Sequence, residues 1–149
     1  MATCTEDSVS RLIYFTAMDM RRYAEKALKP FDLTMEQFHI LKNTDMELGQ
    51  SQRNLGEMVN KTPANMTRIL DRLQTKGLIT RQAAPTDRRT TLVLLTNKGH
   101  DLTHEVIGIL EAFSGALVQG ISQQKQDLVK NVLLKITENL QSMSDSDIQ

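Results

Sequence analysis

Between Leu55 and Leu95 the apolar period of the chain changes twice, and this stretch limits the folds open to it. Leu55, Met58 and Val59 recur at helical spacing over about Asn54 to Asn60. Asn60-Lys61-Thr62-Pro63 then interrupts the pattern. Asn tolerates the left-handed backbone of a tight turn, Thr62 can cap, and Pro63 suits a first helical position, where no amide hydrogen is needed. Met66, Ile69, Leu70 and Leu73 restart the helical period as far as about Lys76. There Lys76-Gly77-Leu78 reads as a stop, with a base in the last turn, a glycine past it and an apolar residue to fold back. Leu78–Arg81 and Thr91–Leu95 are short and rich in β-formers, and the polar segment between them holds Pro85 and Asp87. They predict a two-stranded hairpin with a projecting loop.

Helical patterns flank this core on both sides. Val9 to Leu28 carries Val9, Leu12, Ile13, Met20, Tyr23, Ala24 and Ala27 as one stripe for burial, and Pro30 ends it. Thr34 is a good cap for a second helix, with Gln37 three residues on to complete a capping box; Phe38, Leu41 and Leu48 form its apolar face and Gly49 closes it. Thr96 caps a long fifth helix with Leu102, Val106, Ile109, Leu110, Phe113 and Leu117 as its stripe, in which Gly108 and Gly115 either weaken the helix or mark close packing. Gly120 breaks it, and Ser122 can cap a sixth helix through Leu128, Val132, Leu133, Ile136 and Leu140, followed by a frayed tail from Met143.

The order of short helix, tight turn, helix and hairpin is that of a winged helix-turn-helix. The expected fold is mainly α with a small β-hairpin wing (α+β), in a single domain over residues 1–149. Residues 34–96 would form the winged module. The helices over about 8–30 and 97–142 carry more apolar positions than so small a module covers, and read as dimerisation helices. The competing reading folds the sixth helix back onto its own chain.

Formal net charge is zero over the 149 residues, which argues against a wholly basic nucleic-acid binder. The average hides an asymmetry. Between Ser51 and Thr91 stand Arg53, Lys61, Arg68, Arg72, Lys76, Arg81, Arg88 and Arg89 against Glu57, Asp71 and Asp87, a net of +5, whereas residues 1–50 carry −2 and residues 92–149 carry −3. A basic middle between acidic arms fits a DNA-reading module on a separate frame. No apolar run approaches the ~18–20 residues of a membrane span. The first ten residues do not read as a secretory signal, and the single Cys4 allows no intrachain disulfide. A cytoplasmic setting is expected. With no Gly-rich phosphate loop, paired-cysteine motif or nucleophile elbow, an enzyme is not expected, nor is a cofactor.

A helix that enters a major groove must show small or polar groups near its N-terminus. With Met66, Ile69, Leu70 and Leu73 committed to the core, the exposed remainder is Thr62, Ala64, Asn65, Thr67, Arg68 and Arg72. Asn65 suits adenine, Arg68 guanine, and Ala64 or a threonine methyl the thymine methyl. The first amides of this helix, with the Thr62 hydroxyl, suit a phosphate. Ser51, at the head of the basic segment, joins the candidate set. Arg88 and Arg89 sit in a polar loop without an apolar anchor, where an arginine can reach a narrow minor groove. A solvated amphipathic helix and a merely soluble hairpin are the plainer alternatives.

Leu55-Gly56-Glu57, Thr62 to Leu73 and Lys76-Gly77-Leu78-Ile79 resemble the helix-turn-helix of MarR-type regulators. Asp87-Arg88-Arg89 followed by Leu94-Leu95-Thr96-Asn97-Lys98-Gly99 resembles the wing signature of that family, Asp-x-Arg … Leu-Thr-x-x-Gly. The resemblance implies a transcription regulator, here expected to be a repressor, that binds a palindromic duplex as a homodimer through interlocked terminal helices. It implies that Arg89 enters the minor groove and that Asp87 orients the wing. It also implies a small phenolic or anionic effector between the dimer frame and the DNA module, near Met20, Tyr23 and Phe38, although core packing explains those three as well. Two other readings remain. One is a winged helix used for protein contacts; the other is a metal- or redox-responsive sensor of the same fold. For the latter, Cys4 precedes the first helix and lacks a structured neighbourhood, and His39 stands apart in the second helix. His100 and His104, four apart beside Asp101 and Glu105, read as a solvated face, so no metal is expected.

Overall fold

The computed structural model describes residues 8–143, which leaves Cys4 and the end of the tail outside the described residues. Its elements run α1 (Val9–Leu28), a 3₁₀ turn (Lys29–Phe31), α2 (Met35–Lys42), β1 (Gln50–Ser51), α3 (Gln52–Met58), α4 (Pro63–Thr75), β2 (Ile79–Ala83), β3 (Thr91–Leu95), α5 (Asn97–Leu117) and α6 (Gln123–Ser142). The chain divides into two compact units, one reaching Leu110 and the other beginning at Glu111.

In the first unit the strands form an antiparallel sheet in the order β1-β3-β2. Ile79 pairs with Leu95, Arg81 with Val93 and Ala83 with Thr91, while Gln50 and Ser51 pair with Val93 and Leu92. The pleat sends Ile79, Val93 and Leu95 inward to join Leu28, Phe38, Ile40, Leu41, Leu55, Met66, Leu70, Leu73 and Val106 in one core. Each such aliphatic side chain contributes about 1.5–3 kcal/mol by leaving water. The sheet and α2–α4 therefore hold one another, and the polar face of α4 is left to solvent.

Local chemistry sets the boundaries, and in places it departs from the periodic reading. The capping box of α2 is present: Thr34 accepts from the Gln37 amide at 3.2 Å, and the Gln37 side chain accepts from the Thr34 amide at 3.1 Å. The helix ends at Lys42, however, and does not reach Leu48. Asn43 Nδ2 donates to the His39 carbonyl (2.7 Å) and Thr44 Oγ1 to that of Ile40 (2.6 Å), while Asp45 takes the amides of Glu47 and Leu48, both at 2.7 Å. Three successive short polar side chains thus offer the backbone an alternative to helix. Leu48 is 82% exposed as a result. Gly49, at φ +67°, turns the chain into β1, where a Cβ would lie 2.9 Å from the Val93 carbonyl oxygen.

Met58 is exposed rather than inward: the buried face of α3 runs through Leu55 and Gly56, and Met58, in the last position of the helix, falls to its edge. Ser122 occupies the N-cap of α6 without a side-chain hydrogen bond. On α1 only Ala24 and Leu28 are buried; Val9, Leu12, Phe15, Met18, Met20 and Tyr23 are exposed. In the second unit no residue of α6 is buried, and Leu128, Val129, Val132, Leu133, Leu134 and Leu140 all face solvent.

The start of α5 is fastened to the end of α4. Thr96 donates its amide to the Leu78 carbonyl (3.1 Å) and its hydroxyl to that of Gly77 (2.6 Å), and Lys98 Nζ reaches the Lys76 carbonyl (2.8 Å). Gly99 presses on the same segment, since a Cβ there would lie 1.9 Å from the Leu78 oxygen. The Thr96 hydroxyl also accepts from the Gly99 amide at 3.0 Å, which makes it the cap of α5 as expected.

Candidate nucleic-acid interface

The turn between α3 and α4 is built as its residues require. Asn60 adopts φ +51°. The Lys61 amide donates to the Gly56 carbonyl at 2.9 Å, folding the turn back on α3. A Cβ at Gly56 would lie 3.4 Å from the Lys61 oxygen and 3.7 Å from Met66 Cγ, ordinary contact distances, so the turn packs closely here without demanding a glycine. Thr62 caps α4, its hydroxyl accepting from the Asn65 amide at 3.3 Å, and Pro63 follows at the first position. Gln52 Nε2 donates to Thr67 Oγ1 at 3.2 Å and joins the two helices at their heads.

With Met66, Leu70 and Leu73 buried and Ile69 partly so, the solvent face of α4 carries Thr62, Ala64, Asn65, Thr67, Arg68 and Arg72, the whole expected set. Ser51 lies in β1 and caps α3, accepting from the Asn54 amide at 3.1 Å, so its hydroxyl already serves the fold.

The wing loop is organised by Asp87. One carboxylate oxygen accepts from the Arg89 amide (2.9 Å) and the other from the Thr90 hydroxyl (3.0 Å), while the Thr90 amide donates to the Asp87 carbonyl (3.0 Å). Ala84 and Thr90 close the loop through a 2.8 Å backbone bond. At its base Arg81 donates to Asp71 (2.5 Å) and Gln74 (2.7 Å) of α4, so the hairpin and the helix hold a fixed angle. A groove of about 590 Å³ separates the wing from the heads of α3 and α4; Arg89, Thr90, Ser51, Arg53, Lys61 and Pro63 lie on its walls. Arg88 does not line it.

The arginines sort by partner. Arg21 pairs with Glu25, Arg22 with Asp19, Arg53 with Glu57 and Arg81 with Asp71, and Arg11 lies over the Phe15 ring. Among the described residues, Arg11, Arg68, Arg72, Arg88 and Arg89 have no acidic partner within 4.0 Å, and apart from Arg11 on α1 they all belong to α4 or the wing loop. Two lysines near the same module are committed instead: Lys61 to Glu36 at 3.6 Å and Lys76 to Asp32 at 2.8 Å. Lys76 holds the Asp32 carboxyl below its usual range, by hydrogen bond and by charge. The Glu36 carboxyl is also held low, first by a hydrogen bond from its own backbone amide and then by Lys61. The structure thus leaves unneutralised guanidinium groups on one helix face and one loop.

The sequence profile of the MarR family matches residues 33–91, the span from just before α2 to the start of β3. Solved structures extend the likeness across nearly the whole chain. A Staphylococcus aureus MepR–DNA complex is 26% identical with a TM-score of 0.79, over 90% of this chain and 99% of the other. A Listeria innocua protein is 28% identical with a TM-score of 0.72, over 89% and 93%. CouR from Rhodococcus jostii RHA1, solved with p-coumaroyl-CoA, is 23% identical at a TM-score of 0.72 over 87% and 92%, and shares the fold. Over its winged segment the chain is thus similar to MarR-family regulators. The winged-helix fold expected from the sequence is the one these regulators share.

The winged module contains three features that its sequence did not announce. The strand β1 widens the expected hairpin into a three-stranded sheet. Arg53 and Lys61 share the wing groove, where the Ser51-x-x-Asn54 spacing was the available sign that α3 begins early and brings its first turn to the wing. Arg81 ties the wing to α4, a pairing between residues ten apart that no local pattern announces. No described helix is long and apolar enough to cross a membrane. Among the described residues no group of three or more histidine, cysteine or carboxylate side chains is placed to hold a metal.

Proposed function

We propose that the chain acts as a homodimeric cytoplasmic repressor that reads a palindromic operator. In each subunit Thr62, Ala64, Asn65, Thr67, Arg68 and Arg72 of α4 face the major groove, and Ser51 and the head of α4 meet the backbone. Arg89 enters the adjoining minor groove with Arg88 beside it, and Asp87 keeps the loop in shape for both. The observation that carries this reading is the placement of the four arginines without acidic partners on α4 and the wing loop. A guanidinium already paired must give up its acid to bind phosphate or a base edge; these four need not. The MepR–DNA complex, which shares the fold, supports the same use of the module.

The dimer is supported by the exposed apolar faces of α1 and α6. Most helical stability in proteins comes from packing of the apolar face, and a face bearing Leu128, Val132, Leu133 and Leu140 gains only when it is covered. Residues 8–30 and 97–142 would then be the dimerisation frame around a winged module at 34–96. Effector control is supported by a cleft of about 780 Å³ between α1, α2 and α4, whose walls carry Arg21, Lys29, Arg72 and Lys76 beside Glu25, Asp32, Glu36 and Asp71, a balanced lining that does not single out an anionic ligand. None of Met20, Tyr23 and Phe38 lines it; Phe38 is core and the other two lie exposed on α1.

The test is quantitative binding of Arg89→Ala and Arg68→Ala to duplexes selected from a genomic library. Loss of Arg68 is expected to cost about 1–3 kcal/mol and relax preference at one base pair. Loss of Arg89 is expected to weaken binding and lower the slope of affinity against salt by about one. Unchanged affinity of both variants at moderate salt would turn the reading toward a protein-contact module.

A further inference from the structure

We propose that His100 and His104 form a two-imidazole chelate for a divalent transition-metal ion on the first turns of α5. At four residues apart the two side chains lie on one helix face, but exposed histidines at that spacing are free to splay. Here they do not: the ring centroids stand 4.4 Å apart, tilted by 55°. The rings are close enough for one ion to bridge nitrogen atoms at ordinary metal–imidazole distances of about 2.0–2.1 Å after small side-chain rotations.

A second feature orients the first ligand. Asp101 Oδ1 lies 3.3 Å from His100 Nδ1, so in the tautomer that donates to Asp101 the Nε2 lone pair points outward. A carboxylate behind a ligating imidazole is the usual outer partner of such sites, fixing tautomer and raising basicity. The scaffold is also firm. The pair begins one residue after Gly99, where Thr96 and Lys98 fasten α5 to the end of α4 and Thr103 Oγ1 donates to the Gly99 carbonyl at 2.7 Å. His104 is exposed and His100 partly so, which leaves an open approach for a hydrated ion.

The set has two protein ligands, so water fills the remaining positions, and the affinity order follows imidazole preference, with Ni²⁺ and Cu²⁺ bound more tightly than Mn²⁺. Chelation makes the second nitrogen an intramolecular ligand, which raises affinity by about 10²–10⁴ over one imidazole. An ion held across one helical turn also binds only the folded helix in this way, so it raises the unfolding midpoint.

The experiment uses the full, untagged chain and NiCl₂. Calorimetric titration is paired with thermal unfolding in the presence and absence of the ion. One ion per chain is expected, with a raised midpoint. His100→Gln and His104→Gln are each expected to weaken Ni²⁺ binding by about 100-fold and abolish the shift; Asp101→Asn is expected to weaken it by about tenfold. His39→Gln and Cys4→Ser are expected to change neither readout. Binding that survives either α5 substitution, or that disappears with His39 or Cys4, would overturn the proposal, as would the absence of binding to the parent chain. Circular dichroism of each variant without metal separates a lost ligand from a lost fold.

Discussion

Gly99→Ala should be among the most damaging single-methyl additions in the chain. The added Cβ would stand 1.9 Å from the Leu78 carbonyl oxygen, 2.9 Å from its carbonyl carbon and 3.2 Å from its Cα. All three are backbone atoms, so no rotamer change relieves the contact. To restore even a 3.0 Å separation, α5 must retreat by about 1 Å from the end of α4. That retreat strains the bonds of Thr96 to Gly77 (2.6 Å) and Leu78 (3.1 Å) and of Lys98 to Lys76 (2.8 Å). Overpacking costs about 1–3 kcal/mol and each weakened hydrogen bond up to about 1 kcal/mol. Replacing a helical glycine by alanine returns about 1 kcal/mol. The balance is a loss of about 2–4 kcal/mol.

Urea unfolding at one fixed protein concentration measures it, as a lower midpoint with unchanged slope. Gly108→Ala is the control, because a Cβ there meets nothing within 4 Å of its own chain. It is expected to gain about 0.5–1 kcal/mol from helix propensity. A Gly99→Ala protein as stable as its parent would refute the joint between α5 and α4.

Two further outcomes follow from other parts of the molecule. Leu133→Glu puts a charge on the apolar face of α6, and light scattering is expected to find monomer in place of dimer; an unchanged mass would remove α6 from the interface. The Asp45 carboxyl is held below its ordinary value of 3.8 by hydrogen bonds from the Leu48 and Glu47 amides. A carboxyl depressed in the folded state adds stability above its unfolded pKa, and loses it as pH falls through the folded value. Asp45→Asn is therefore expected to be less stable than the parent near neutrality, with the difference shrinking below about pH 4; a gap that persists at acid pH would show that charge is not its source.

What could be read from the sequence was what neighbouring residues decide among themselves. Asn60, Thr62 and Pro63 specify a turn and a helix start with no help from the rest of the chain, and the structure places φ +51°, the cap and the first position as those residue types require. The polar face of α4 follows once Met66, Leu70 and Leu73 are buried. The failures lie where side chains compete with the backbone or where pairing is distant. Leu48 continues a helical period, yet Asn43, Thr44 and Asp45 take the hydrogen bonds that would extend the helix. The strand β1 has two residues and exists only because β3 lies alongside. The stripe on α1 was legible as apolar, but periodicity does not say what covers it, and within one chain most of it stays in water. For the interface, sequence located the basic segment but could not sort its cations. Arg81 and Lys76 are spent on Asp71 and Asp32, and Arg68, Arg72, Arg88 and Arg89 are not.

The most direct test of the account is footprinting on duplexes recovered from a genomic library, combined with the mass of the complex. Two chains are expected on each duplex, with two protected half-sites related by a dyad. Their centres should lie about one helical turn, 34–36 Å, apart or a multiple of it, with affinity falling steeply as salt is raised. A chain that stays monomeric and retains no duplex at low ionic strength would contradict it.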